Sequence, residues 1–316
     1  RLVGSEMCIR DRLDPTKSRV DQPVPEAPTP IVVGRSKRLF VNDWVVEQMD
    51  GMVRTMHAVS KHPDNPLFCP EESWEGHNVL LFGTVMYDPN PGALLDFQLA
   101  VSPDGKHWGR AFDEAWIPLS PLPADYVRVK LPHTPPTGVD PFDERVPWDY
   151  GNNSTSSMGP VRVGDELWMY YSGRRTDHAS SPHVGAIGLG TLRLDGFVSL
   201  AAAEEEGVVL TRPLRLLHGS LHVNADASEE SLQVEILDDQ GIPLPPFTRD
   251  NCEPICTDDV RHLVRWRGAK VMDFEKLNGR EIRLRFHLQN AGLYSFWTGE
   301  EMSWSTPDTT TWKPGE

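Results

Sequence analysis

Cysteine is scarce in this chain, with 4 in 316 residues, and a chain this long buries a sizeable core unaided. A small disulfide-stapled scaffold is therefore excluded. Cys69, Cys252 and Cys256 are an odd set, and the Cys252-x3-Cys256 pair lacks the second ligand pair of a structural zinc site. They read as core or loop thiols, or as one local disulfide, and neither a metal nor a cofactor is expected. Long apolar runs are missing as well. No stretch approaches the length that crosses a bilayer, and the first 30 residues contain neither an apolar signal core nor a small-residue cleavage site. A membrane partner is not expected. Positive charge is also short: Lys and Arg number 31 against 46 Asp and Glu, a net charge of −15, and no basic block breaks the deficit. The electrostatic footprint of a nucleic-acid binder is absent, so partners are expected to be neutral or cationic.

What the chain does have is turn formers and aromatic mass. Gly and Pro contribute 25 and 28 residues, hydrophobics hold at 39%, and there are 10 Trp, too much apolar matter for a disordered polymer. Residues 2–12, LVGSEMCIRDR, resemble the translated read-through of a sequencing adaptor and are set aside with Cys8. Residues 13–36 are rich in Pro and charge without periodicity, so 1–36 is read as a leader.

From Leu39 onward short β-branched and aromatic runs alternate, and Asp50-Gly51 suggests a hairpin. Strands are predicted over 79–88, 96–102, 159–173 and 184–194, with turns at Asp104-Gly105, Gly164-Asp165 and Asp195-Gly196. No amphipathic helix of ordinary length precedes residue 200. Two units repeat a plan in which a Trp-acid pair, Trp74-Glu75 or Trp148-Asp149, precedes a strand. In both, a later strand enters an Asp-Gly turn followed by Trp108 or Phe197. Repeated four-stranded units are the signature of propeller blades. The Pro-rich stretch 114–147 between them is too long for a normal blade connection and reads as an insertion or splice.

After the acid run Glu204 to Glu206 the pattern turns strictly alternating. Leu221, Val223 and Ala225 oppose His222, Asn224 and Asp226, and Ile282, Leu284, Phe286 and Leu288 oppose Arg283, Arg285, His287 and Gln289. A hairpin is expected over 231–244 around Asp239 to Gly241. The fold class expected is all-β, a partial propeller over 37–200 followed by a β-sandwich over 201–300 and a polar tail at 301–316.

The segments RLFVNDWVVEQMDG (38–51), KHPDNPLF (61–68), SWEGHNVLLFGTVMYD (73–88), SPDGKHW, GPVRVGDELWMYYSG, GAIGLGTLRLDGFVSL (185–200), SLHVNADA (220–227) and IRLRFHLQNAGLYSF (282–296) carry a resemblance. In this order they resemble proteins of the glycoside hydrolase family 32 and 43 type, built on a five-bladed β-propeller with a C-terminal β-sandwich. The likeness covers most of residues 38–298, but only an opening and a closing blade unit can be found. The step from 87–90 to 95–105 looks like one blade joined to the end of a later one. The resemblance implies an extracellular or periplasmic protein acting on or binding carbohydrate, with an incomplete catalytic centre.

Glycoside hydrolysis needs one carboxylic acid to protonate the leaving oxygen and one carboxylate as base or nucleophile. By resemblance Glu75 stands where the family places its first channel-facing acid, so it is the candidate base or nucleophile; otherwise it is a solvated turn residue. Asp149 holds the equivalent place in the second unit and would orient a sugar hydroxyl, or else act as a turn aspartate. Asp143 and Glu144 are the nearest stand-ins for the general acid. Trp74 and Trp148 could stack on sugar faces or fill the space between blades, and Trp108 is assigned to packing. His57 and His62 could hydrogen-bond a ligand at the channel mouth, against the plainer reading of loop histidines. A non-catalytic carbohydrate-binding protein is the competing expectation, and nothing in the sequence sets an oligomeric state.

Overall fold

A computed structural model of the chain describes residues 27–67, 69, 94, 96–101, 109–128, 138–155, 159–177 and 182–300. Within them the fold is all-β, with 19 strands in several sheets and one short α-helix, Val271–Glu275. No helix among the described residues is long and apolar enough to cross a membrane. Strands are numbered along the chain. The first four are β1 (Ile31–Val33), β2 (Arg38–Leu39), β3 (Val46–Asp50) and β4 (Val53–Met56). Then come β5 (Ser60–Lys61), β6 (Phe97–Val101), β7 (Gly109–Ile117), β8 (Asn152–Thr155), β9 (Val161–Val163), β10 (Glu166–Arg174) and β11 (Gly185–Arg193). The last eight are β12 (Val198–Ala202), β13 (Gly207–Thr211), β14 (Leu214–Leu216), β15 (Leu221–Asp226), β16 (Ser231–Leu237), β17 (Asp258–Leu263), β18 (Glu281–Gln289) and β19 (Ala291–Thr298).

Two compact units emerge, divided at His57/Ala58 and at Leu194/Asp195. The sequence pattern suggests a division near residue 201, yet β1 to β4 pair with strands that follow residue 195. β1 lies along β14, β2 along β19, β3 along β13 and β4 along β12. The outer unit is thus discontinuous in sequence.

In that outer unit one sheet runs β1-β14-β18-β13-β3 with β16 on the free side of β18, and a second runs β17-β15-β19-β12-β4 with β2 on β19. The strict alternation does what it predicts: Ile282, Leu284, Phe286 and Leu288 from one sheet and Leu221, Val223 and Ala225 from the other are all buried in one apolar core. Ring centroids of Phe286 and Phe296 are 5.7 Å apart, and Phe40 meets both, at 6.1 and 5.6 Å. Each such buried ring contributes about 1.5–3 kcal/mol over an exposed one. Asn224 and His287 are buried although they belong to the polar faces. Cys252 and Cys256 are free thiols, and burial pushes that of Cys252 up to about 11.

The Asp50-Gly51 turn is not a hairpin. Gly51 has φ +63°, and the strands on either side enter different sheets, β3 against β13 and β4 against β12. Both edges are already paired by strands from the far end of the chain, so the turn passes the backbone between sheets. A Cβ at Gly51 would sit 2.9 Å from the Glu206 carbonyl oxygen. The turn at Asp239 to Gly241 does fold back as expected: Asp238 N–H donates to Ile242 O at 2.9 Å and Leu244 N–H to Ile236 O at 2.8 Å.

The unit between residues 58 and 194 centres on β10, which pairs along its whole length with β11 and, on its other side, with β8 and β9. β5 closes the sheet on the far side of β11. The strands predicted over 159–173 and 184–194 are these, with Gly164 at φ +62° making the β9–β10 turn. β6 and β7 form a separate two-stranded sheet. Val59, Ile117, Met169 and Tyr171 form the apolar core, flanked by Phe97, Trp116 and Trp148. After β7 the Pro-rich stretch carries its own small cluster, with Val139, Val146 and Tyr150 buried against Leu122 and Tyr126. The strand predicted over 79–88, the Asp104-Gly105 turn and the residues Trp74, Glu75 and Trp108 lie outside the described residues.

Candidate functional site

The site builds outward from the β8–β10 ladder, in which Asn152 is registered with Arg174, Asn153 with Gly173 and Ser154 with Ser172. Gly151 N–H donates to Arg174 O at 2.8 Å and extends the ladder by one step. There a side chain is impossible, since a Cβ would lie 2.3 Å from the Thr176 carbonyl carbon. The preceding Trp148 folds over two further glycines: a Cβ on Gly173 or Gly188 would come within 2.6 Å of its indole. With both glycines bare the ring lies against the sheet, 5.3 Å from the Tyr171 ring.

Asp149 is wholly buried. Lys61 Nζ donates to its Oδ2 at 2.5 Å and to Ser120 Oγ at 2.9 Å, while Tyr171 OH donates to the same Oδ2 at 3.3 Å. Burial, and then the Asp149 charge, push the Tyr171 phenol far above its ordinary range, so it stays protonated as a donor. Lys61 is brought in by the KHPDNPLF segment, which Asn65 clamps to β11. Its carboxamide donates to Leu189 O and accepts from Leu189 N–H, both at 2.8 Å. Removing one partner of such a buried ion pair costs about 3–5 kcal/mol, because the other charge is left without compensation.

Several polar atoms around this pair are buried and have no hydrogen-bond partner: Asp149 Oδ1, Asn153 Oδ1, both carboxamide atoms of Asn152, Arg174 Nε and Thr176 Oγ1. Such a concentration in one corner of a sheet is unusual, since buried polar groups are nearly always paired. Beside it opens a cleft of about 360 Å³ whose lining includes Glu144, Val146, Trp148, Arg175, Gly185 and Ala186. Asp149 Oδ1 and Asn153 Oδ1 offer acceptors, and Trp148 an aromatic face, to a polyhydroxylated ligand, whereas Asn152 and Arg174 alternate to the opposite face of the sheet.

Of the residues singled out by sequence, Asp149 and Trp148 are brought together here, and Glu144 lines the cleft. Trp74 and Glu75 lie outside the described residues. His62 is half-buried in the clamped segment, where its Nδ1 accepts from Asp64 N–H at 3.3 Å. His57 belongs to the other unit, with Nε2 2.8 Å from Ser199 Oγ and its ring 5.3 Å from Tyr294. Among the described residues no group of three His, Cys, Asp or Glu could hold a metal ion. Sequence reasoning missed Lys61, Asn152, Asn153, Tyr171 and Arg174. The Asn-Asn doublet behind Trp-Asp-Tyr-Gly was the one local signal. Compared with known protein families, curated proteins and solved structures, the chain has no match in any of the three.

Proposed function

We propose that the chain is a glycosidase-like protein that acts on or binds poly- or oligosaccharide, working outside the cytoplasm as its resemblance to glycoside hydrolases of the family 32 and 43 type implies. The observation that carries this reading is the unpartnered Asp149 Oδ1, with Asn153 Oδ1 also unpartnered in the same ladder, next to the Trp148 cleft. A buried acceptor without a partner favours a ligand hydroxyl. The antiparallel path β5-β11-β10-β8, in a five-stranded sheet with β9 also on β10, favours a blade-like reading of this unit. The two sheets that share one apolar core favour a sandwich for the outer unit. In this reading Glu75 is the base or nucleophile, Asp149 orients a hydroxyl, and Glu144 in the cleft is the nearest candidate acid. The chain should release reducing sugar from at least one of arabinan, fructan and xylan, and Glu75→Gln should abolish the release.

The Lys61–Asp149 ion pair favours a second reading, non-catalytic glycan binding, because a carboxylate committed to a lysine is held in place as an anchor. Retention on a glycan column without turnover, weakened by Trp148→Ala, would support it. Neither release nor retention on any of the three polysaccharides would overturn both readings.

A further inference from the structure

The Trp148 cleft, about 360 Å³ in volume, is walled by Val146, Pro147, Trp148, Val184 and Ala186, and the charged side chains on its lining are Arg175 and Glu144. Arg175 follows the end of β10, where its N–H donates to Val184 O at 3.0 Å. Two residues beyond Gly173, it stands on the side of the sheet that carries Trp148. Its side chain is half-buried. Among the described residues that side chain makes one hydrogen bond, from Nη1 to Pro141 O at 3.2 Å, and no ion pair, and Nε is buried without a partner. Asp143 is near enough for its charge to reach Arg175, but both its oxygens are taken by Arg145, Oδ1 by Nε at 3.0 Å and Oδ2 by Nη2 at 2.6 Å. Glu144 is exposed and, among the described residues, forms no ion pair. Arginine cannot shed its proton, so a half-buried guanidinium bonded only to a carbonyl lacks the anion that its charge favours.

We propose that this cleft binds an aromatic carboxylate, its ring against Trp148 and the aliphatic walls and its carboxylate paired with the Arg175 guanidinium. A planar carboxylate matches the fork of an arginine, and an indole favours a second ring in an offset or edge-on contact. The volume is at the small end for organic ligands and suits one ring with its substituents. Walls of valine, proline and alanine offer a ring the contact it needs and no hydrogen bonds that it would leave unmade. Glu144 is the one charge on the lining that opposes the carboxylate, which gives the proposal a second expectation of opposite sign. The glycan reading concerns the acceptors next to the cleft, Asp149 Oδ1 and Asn153 Oδ1, whereas this inference concerns the cleft itself and does not depend on it.

The test titrates the full chain by calorimetry, at one ionic strength, with 4-hydroxycinnamate, with 4-hydroxycinnamyl alcohol, which keeps the ring and lacks the charge, and with acetate, which keeps the charge and lacks the ring. The aromatic acid should bind at least about tenfold more tightly than the alcohol, and acetate should not compete with it. Arg175→Met should bring the acid down to the level of the alcohol and leave the alcohol unchanged, a pattern that general loss of structure does not produce. Glu144→Gln should tighten the acid and leave the alcohol unchanged. Trp148→Ala should weaken both. No binding of 4-hydroxycinnamate would overturn the inference, as would equal binding of acid and alcohol. Competition by acetate as strong as by the aromatic acid would reduce the site to an adventitious anion contact and overturn it too. Should Arg175→Met fail to fold, the three ligands on the unaltered chain and Glu144→Gln still decide. Release or retention of polysaccharide is a separate measurement, so this inference and the glycan reading fail separately.

Discussion

Trp148 depends on what its neighbours lack. Its ring occupies the space that side chains on Gly173 and Gly188 would fill, and it thereby forms a wall of the cleft. Gly188→Ala introduces a methyl 2.6 Å from the indole and 3.1 Å from Asn65 Cγ, the residue that clamps Lys61 into place. Overpacking of this kind costs about 1–3 kcal/mol, and the ring or the clamp must move. A urea denaturation midpoint should fall accordingly, and glycan retention should fall with it. Retention unchanged in a destabilised Gly188→Ala protein would separate the Trp148 packing from the ligand site.

At the scale of elements, the polar faces of the outer sheets are held by ionic networks. On the face of β18, Arg285 donates to Glu235 at 2.8 Å, and His287 lies 3.2 Å from Glu235 and 3.4 Å from Glu206, which also pairs with Arg249. Burial opposes the Glu206 charge, but the Arg249 hydrogen bond and charge, followed by those of His287, outweigh it and hold the carboxyl below its ordinary 4.5. A depressed folded-state pKa contributes stability above the unfolded value, and that stability is lost as the pH falls through the folded one. Glu206→Gln should therefore flatten the loss of stability between neutral pH and pH values under 4.5. Parallel acid limbs for the two proteins, measured as urea midpoints against pH, would show that Glu206 ionisation is not linked to folding. The alternation that makes β18 and β15 legible is a local property, so those strands and the β10–β11 pair could be read directly. Partner choice is not local. The residues flanking Gly51 read as a hairpin because nothing nearby reveals that β12 and β13 compete for them. Lys61 reaches Asp149 across 88 residues of chain. The acid and the tryptophan of the site were therefore visible in sequence, while its cations and carboxamides were not.

For the whole molecule, the decisive pairing is β4 with β12. Met56 is registered with Val198, and His57 N–H donates to Phe197 O at 3.0 Å, so the two ends of the outer unit's gap are hydrogen-bonded neighbours. Residues 58–194 therefore interrupt what would otherwise be an antiparallel hairpin. Deleting them and joining His57 to Asp195 should leave the outer unit intact, because Asp195-Gly196 is then the two-residue Asp-Gly loop between the hydrogen-bonded His57 and Phe197. This shortened chain should melt cooperatively and elute as one compact species. The fragment 201–300, which the composition shift alone would delimit, should not. It lacks β1 to β4 and most of β12, and with them Ile31, Val33, Phe40, Val45 and Val46, all buried in the shared core. Loss of Phe40 alone leaves the Phe286 and Phe296 rings facing a void, and truncating a buried phenylalanine costs about 3–5 kcal/mol. The unpaired edges of β13, β14 and β19 would add a tendency to associate. Near-ultraviolet circular dichroism during heating distinguishes the two. A sharp, reversible melt from the 201–300 fragment would mean that the leading strands are dispensable and that the outer unit is continuous in its folding if not in its pairing.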